Sequence, residues 1–196
     1  MPVIELSSMC MTVENCREKI DEGKAIAKAN GFSFGVQLHN SISRELYDEI
    51  MKHREGIELS MHSPVFADCF INLAASDFDL AFSTCTANAE RLSSIGSTIL
   101  FFHGFFMTDK PLVHDMKNYR KAMAAGIGDG FRLNESFIMN PAVFETELYH
   151  AYKLRFADHF KKMQSLFPHL RVALENDFVG MGSGLQRPAE IHEFVN

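Results

Sequence analysis

Short apolar runs alternate along this chain with longer stretches in which apolar residues recur at helical spacing. Residues 3–6 form the first run and read as a strand. Thr12 then caps a helix that places Val13, Cys16, Ile20 and Ala27 on one face, and Gly31 ends it. Residues 32–39 alternate apolar and polar before turning polar at Asn40, and Ser43 opens a helix to His53 with Leu46 and Ile50 turned inward. After Gly56, residues 57–62 predict a third strand. A helix over 77–95 follows, with Ser76 as cap and Asp79 as its capping-box partner. Beyond Gly96, residues 98–103 predict a fourth strand, 143–167 a helix that stops before Pro168, and 171–175 a fifth strand. Residues 188–195 open on a proline suited to the first turn of a last helix. Strand followed by helix, repeated five times, predicts an α/β fold with parallel strands and right-handed crossovers.

Parallel strands gather their C-terminal ends on one rim of the sheet. Three of the predicted strands close on metal-ligand residues: IELSMH on His62, STILFFH on His103 and RVALE on Glu175. Imidazole and carboxylate are the donor set of zinc or manganese, and three such groups leave a coordination position open for water or substrate. Any one of these residues can simply end a strand and return to solvent. Three on successive strands favour a divalent-metal site, with Glu175 also a candidate for proton transfer. His39, which ends the second strand on the same rim, is expected to touch substrate.

The same segments carry a family resemblance. HSPVFADCFINLAASD resembles the segment around a zinc-binding histidine in endonuclease IV-like enzymes, STILFFHG resembles their next histidine strand, and VALENDFVGMGSG resembles their Glu-Asn strand and Gly-rich loop. In that order, over about residues 31–196, they resemble the xylose isomerase-like TIM barrel superfamily. The resemblance implies a (β/α)8 TIM barrel, of which this chain would be an N-terminal portion of about five βα units. It implies that His62 and His103 ligate one zinc and Glu175 bridges to a second metal in the nuclease branch. In the sugar isomerase and epimerase branch, Glu175 would ligate the metal or move a proton, while the histidine positions often contact substrate. VFADCF replaces the Tyr-containing turn of the nucleases, and His103-Gly104-Phe105 replaces their His-Pro-Gly. The expected activity is therefore that of a metal-dependent sugar or sugar-phosphate isomerase or epimerase. The alternatives are a zinc-dependent endonuclease at abasic DNA and a non-catalytic partial-barrel sugar-binding domain.

Composition narrows these expectations. At 196 residues the chain reads as a single domain, yet a complete eight-stranded barrel takes about 250 residues. The barrel is expected to be incomplete at the C-terminus, with a further segment or a partner chain completing it. The net charge of -6 argues against nonspecific nucleic-acid binding and leaves DNA as a partner only under the nuclease alternative. Four cysteines without a C-x-x-C pair, and no signal-peptide pattern, point to a reducing, cytoplasmic setting. No apolar stretch approaches the roughly 20 residues that span a bilayer. Cys69 and Cys85 read as buried apolar residues.

Residues 104–141 form a long excursion from the predicted rim and read as a lid insertion. Within it Lys110, Arg120, Lys121 and Arg132 are candidates to meet a phosphate or carboxylate of the substrate, Arg132 foremost. The glycines of residues 126–130 follow a helical stretch and read as linker. Those of 180–184 follow a strand, so their amides, with Ser183 and Arg187, either hold an anion or form a turn that passes close to the metal. Asn176 suits a loop-fixing role behind Glu175. His53, His114, His150, His159, His169 and His192 read as surface residues.

Overall fold

The computed structural model describes residues 2–76, 79–107, 109, 111, 145–175 and 191–192. Five parallel strands, β1 (Val3–Ser7), β2 (Ser33–Leu38), β3 (Glu58–His62), β4 (Ile99–His103) and β5 (Arg171–Glu175), form one sheet in chain order. Between them run α1 (Cys16–Ala29), α2 (Arg44–Lys52), α3 (Asp79–Ser94) and α4 (Glu147–Leu166). This is the α/β fold that the periodicity predicts. A parallel sheet whose spatial order equals its sequence order is also how successive βα units build the wall of a barrel.

Side chains alternate between the faces of a strand, so the register sorts them into two layers. Leu38, Met61, Leu100 and Val172 lie side by side on one face. Leu38, Met61 and Leu100 are fully buried there, in one core with Ile20, Ile50, Leu92, Phe156 and Met163 from the four helices. The opposite face is mixed: Gln37, Ser60, Ile99 and Arg171 share one register row, His62 lies in the next with Phe101 and Ala173, and His103 and Glu175 lie beyond it. Apolar packing thus holds the sheet from one side and leaves the other for chemistry.

Several helix boundaries differ from the predicted ones. α1 begins at Cys16, because Thr12 and Asn15 bond each other reciprocally, backbone N–H to side-chain oxygen, and form a separate turn. Val13 lies on that turn and is exposed, so it is not part of the helix face. α3 is described from Asp79; residues 77–78, on which its predicted start falls, lie outside the described residues, and the Ser76 N–H donates to Asp109. α4 starts only at Glu147, where the Thr146 hydroxyl accepts from the N–H of Tyr149. Of the excursion over 104–141, residues 104–107 are buried, and Phe105 stacks on Tyr149 and Phe156 in the core. The rest of that excursion, apart from Asp109 and Pro111, lies outside the described residues, as does most of the helix expected over 188–195. No helix of the described residues is long and apolar enough to cross a membrane.

Candidate metal centre

The C-terminal ends of β3, β4 and β5 bring together three residues from distant parts of the chain. His62 is the last residue of β3, and the ladder continues one step past it, Ser63 N–H donating to the Phe101 carbonyl at 2.7 Å. That bond fixes the backbone on which the imidazole stands. His103 and Glu175 are register partners at the ends of β4 and β5. Their ring and carboxylate therefore rise on the same face as His62. The His62 and His103 ring centroids are 4.9 Å apart, and His62 Nε2 lies 3.1 Å from Glu175 Oε2.

One donor atom from each residue falls within 4.8 Å of the other two. Tetrahedral bonds of about 2.1 Å put neighbouring ligand atoms roughly 3.4 Å apart, so small side-chain rotations bring all three onto one ion. Two imidazoles and a carboxylate are also chemically suited to zinc or manganese. Nδ1 of His62 is buried and has no hydrogen-bond partner among the described residues, a condition that often marks a place for an ion or water.

The electrostatics keep His62 a neutral donor. The residue is only 7% exposed, and burial pushes its pKa below the ordinary histidine value. The neighbouring His103 pushes it further down, while Glu175 pulls it back up. A neutral imidazole retains the lone pair that a metal needs. The Glu175 side chain is half exposed and open to a substrate.

His39 joins this group from the loop after β2. Its backbone N–H donates to the buried Ser8 hydroxyl at 2.8 Å, and its ring centroid lies 5.1 Å from that of His62. Four residues singled out on the sequence, His39, His62, His103 and Glu175, thus meet on one rim. Arg132, Ser183, Arg187 and Asn176, together with Lys110, Arg120 and Lys121, lie outside the described residues. His159, expected at the surface, is partly buried and bonds the Leu73 carbonyl through Nδ1. Cys85 is fully buried, which pushes its thiol up to about 12, while Cys69 is only partly buried.

Two buried amides hold the loops behind the centre. Asn72 spans from the loop after β3 to the loop after β4, its Nδ2 donating to the Phe106 carbonyl at 3.0 Å and its Oδ1 accepting the Phe106 N–H at 3.1 Å. Asn88 of α3 accepts the Val65 N–H at 2.8 Å, three residues past His62. Asn72 sits within the FINLAAS segment, whose pattern gives no hint of this bridging role. Asn88 carries no local signal, being an amide within a helix.

No family model matches the sequence, and no curated protein matches it. Among solved structures, a D-tagatose 3-epimerase-like protein aligns with 100% of this chain and 60% of its own, at 14% identity and a TM-score of 0.47. A D-allulose 3-epimerase from Methylomonas sp. aligns with 100% of this chain and 58% of its own, at 12% identity and a TM-score of 0.45. The chain spans about 60% of the length of these structures. The reading of the centre rests on its own geometry.

Proposed function

We propose that His62, His103 and Glu175 hold a divalent ion, zinc or manganese, and that the chain contributes this centre to a sugar or sugar-phosphate isomerase or epimerase. The observation that carries the reading is the convergence of three metal-type donors within 4.8 Å from the ends of three parallel strands. The substrate class comes from the resemblance of the three strand-end segments. An ion held there would polarise a carbonyl and an adjacent hydroxyl, which acidifies the intervening C–H. Burial keeps His62 unprotonated and fixed in place. Glu175 anchors the site from β5 and, with its half-exposed carboxylate, either ligates or takes the proton from that carbon. Arg132, Ser183 and Arg187 are proposed to meet an anionic group on the substrate.

Isomerisation through an enediol and 3-epimerisation both remove a proton from carbon, the step assigned above to Glu175, so a single assay covers a whole panel of sugars for this reading. Ketohexoses and ketose phosphates are incubated with the manganese-loaded protein in deuterated water, and carbon-bound deuterium is followed by proton NMR. The expected result is exchange that stops with a chelator, returns with manganese and is lost in Glu175→Gln. Exchange indifferent to the chelator, or none across the panel with metal bound, contradicts the reading.

A further inference from the structure

The end of β3 is held unevenly. Its ladder with β2 stops at Leu38 and Met61, one residue short of His62, whereas the ladder with β4 carries on to His62 and Phe101. Past the strand, the chain is gripped from α3. The buried Asn88 accepts the Val65 N–H at 2.8 Å and the Ser63 hydroxyl at 3.4 Å through the same Oδ1. Its Nδ2 donates to the Thr84 carbonyl at 2.9 Å, which fixes the way the amide points. One turn further along the helix, Arg91 Nη1 donates to the Val65 carbonyl at 3.0 Å. Both polar groups of the Val65 backbone thus end on one helix. Phe66 follows with φ at 54°, a region costly to a bulky residue, and the guanidinium carbons of Arg44 and Arg91 lie 4.6 and 5.3 Å from its ring centroid.

We propose that Asn88 and Arg91 are positioning residues for His62, acting through the backbone of 63–65 to aim its imidazole at the ion. His62 Nε2 faces the Glu175 carboxylate, and an ion that took both groups would replace that contact. The imidazole is then aimed by its packing and its backbone. On the β2 side the ladder has already ended, so the grip from α3 supplies the restraint that a second neighbouring strand would give. A buried N–H or carbonyl left unpaired is costly, so loss of either side chain drives the segment to shift toward other partners. That shift reaches the site at Ser63, whose N–H bonds the Phe101 carbonyl one step past His62. The aiming of a ligand rests on the metal reading above; the grip on the end of β3 does not.

Two measurements on Arg91→Met and Asn88→Leu separate the grip from the ion. Arg91→Met keeps the apolar stem of a partly buried side chain and carries the test if the buried leucine variant fails to fold. The first measurement follows amide exchange into deuterated water by NMR in the metal-free protein. Ser63 is expected to exchange about tenfold faster, the scale of one lost hydrogen bond, over and above any change at Val36 inside β2. Acceleration at Ser63 no greater than at Val36 marks a general loss of stability and overturns the grip. The second measurement titrates cobalt(II), read from the visible bands that vanish in His62→Gln. The variants are expected to bind about tenfold or more weakly than wild type, with shifted or weakened bands. Wild-type affinity and bands in both variants overturn the positioning role. A wild-type protein that takes up no cobalt refutes the metal centre and with it the aiming of a ligand, while Ser63 exchange still decides the grip.

Discussion

Glu5 shows how the mixed face of the sheet differs from its packed face. Its carboxylate stands beside Gly35, where a Cβ would come within 3.1 Å of Glu5 Cγ and 3.0 Å of the Glu58 carbonyl. Burial raises the Glu5 pKa above the ordinary glutamate value, helped by Glu58 and opposed by Ser60 and Arg171. A carboxyl whose folded pKa lies above its unfolded one favours folding while protonated and loses that contribution as pH rises through the folded pKa. Glu5→Gln is therefore expected to raise the urea midpoint at pH 7, with the gain fading below about pH 4, where glutamate is protonated in both states. A gain that persists unchanged at low pH would assign it to something other than charge. Asn72 makes the contrasting prediction. Asn72→Ala leaves both the N–H and the carbonyl of buried Phe106 without this partner, and a loss of about 1–3 kcal/mol is expected in denaturant titration. The metal-type residues are legible in the sequence because each closes an apolar run, a local property. The amides are not, because Asn72 bonds a backbone 34 residues away and Asn88 one 23 residues away.

At the scale of elements, the strands are more legible than the helices. The glycines that separate them, Gly31, Gly56 and Gly96, all take positive φ, a conformation costly to other residues, so the breaks are written in the sequence. Helix starts depend on which of several capping residues wins. Thr12 is drawn into the turn it forms with Asn15, and α4 starts at Glu147, behind its cap Thr146, not at the apolar pattern that begins earlier. Ser43 is the cap that the sequence predicts, and its hydroxyl accepts the Leu46 N–H at 3.2 Å. Thr146→Ala is expected to cost about 1 kcal/mol through loss of the Tyr149 N–H bond, measured by thermal or urea unfolding. A neutral result would mean that packing of Tyr149, Phe156 and Phe160 alone sets the start of α4.

At the scale of the molecule, the described residues form a five-stranded parallel sheet covered by helices on one face, with β1 and β5 each paired on one side. Beside β1 lies a groove of about 300 Å³ lined by Ile4, Leu6, Ile26 and Phe34, with Ile4 40% and Ile26 53% exposed. Replacing Ile26 with Glu is expected to reduce fluorescence of an anilinonaphthalene dye with little change in stability, since the side chain is already half in water. Unchanged fluorescence would place the dye elsewhere. The βα period makes the parallel sheet legible, and strand-end chemistry makes its reactive rim legible. The central claim, that this rim holds a divalent ion, is met most directly by anomalous diffraction from crystals of the zinc-loaded protein. The account predicts a zinc peak about 2.0–2.2 Å from a nitrogen of His62, a nitrogen of His103 and an oxygen of Glu175. A zinc peak at another set of residues, or none on this rim, would contradict it.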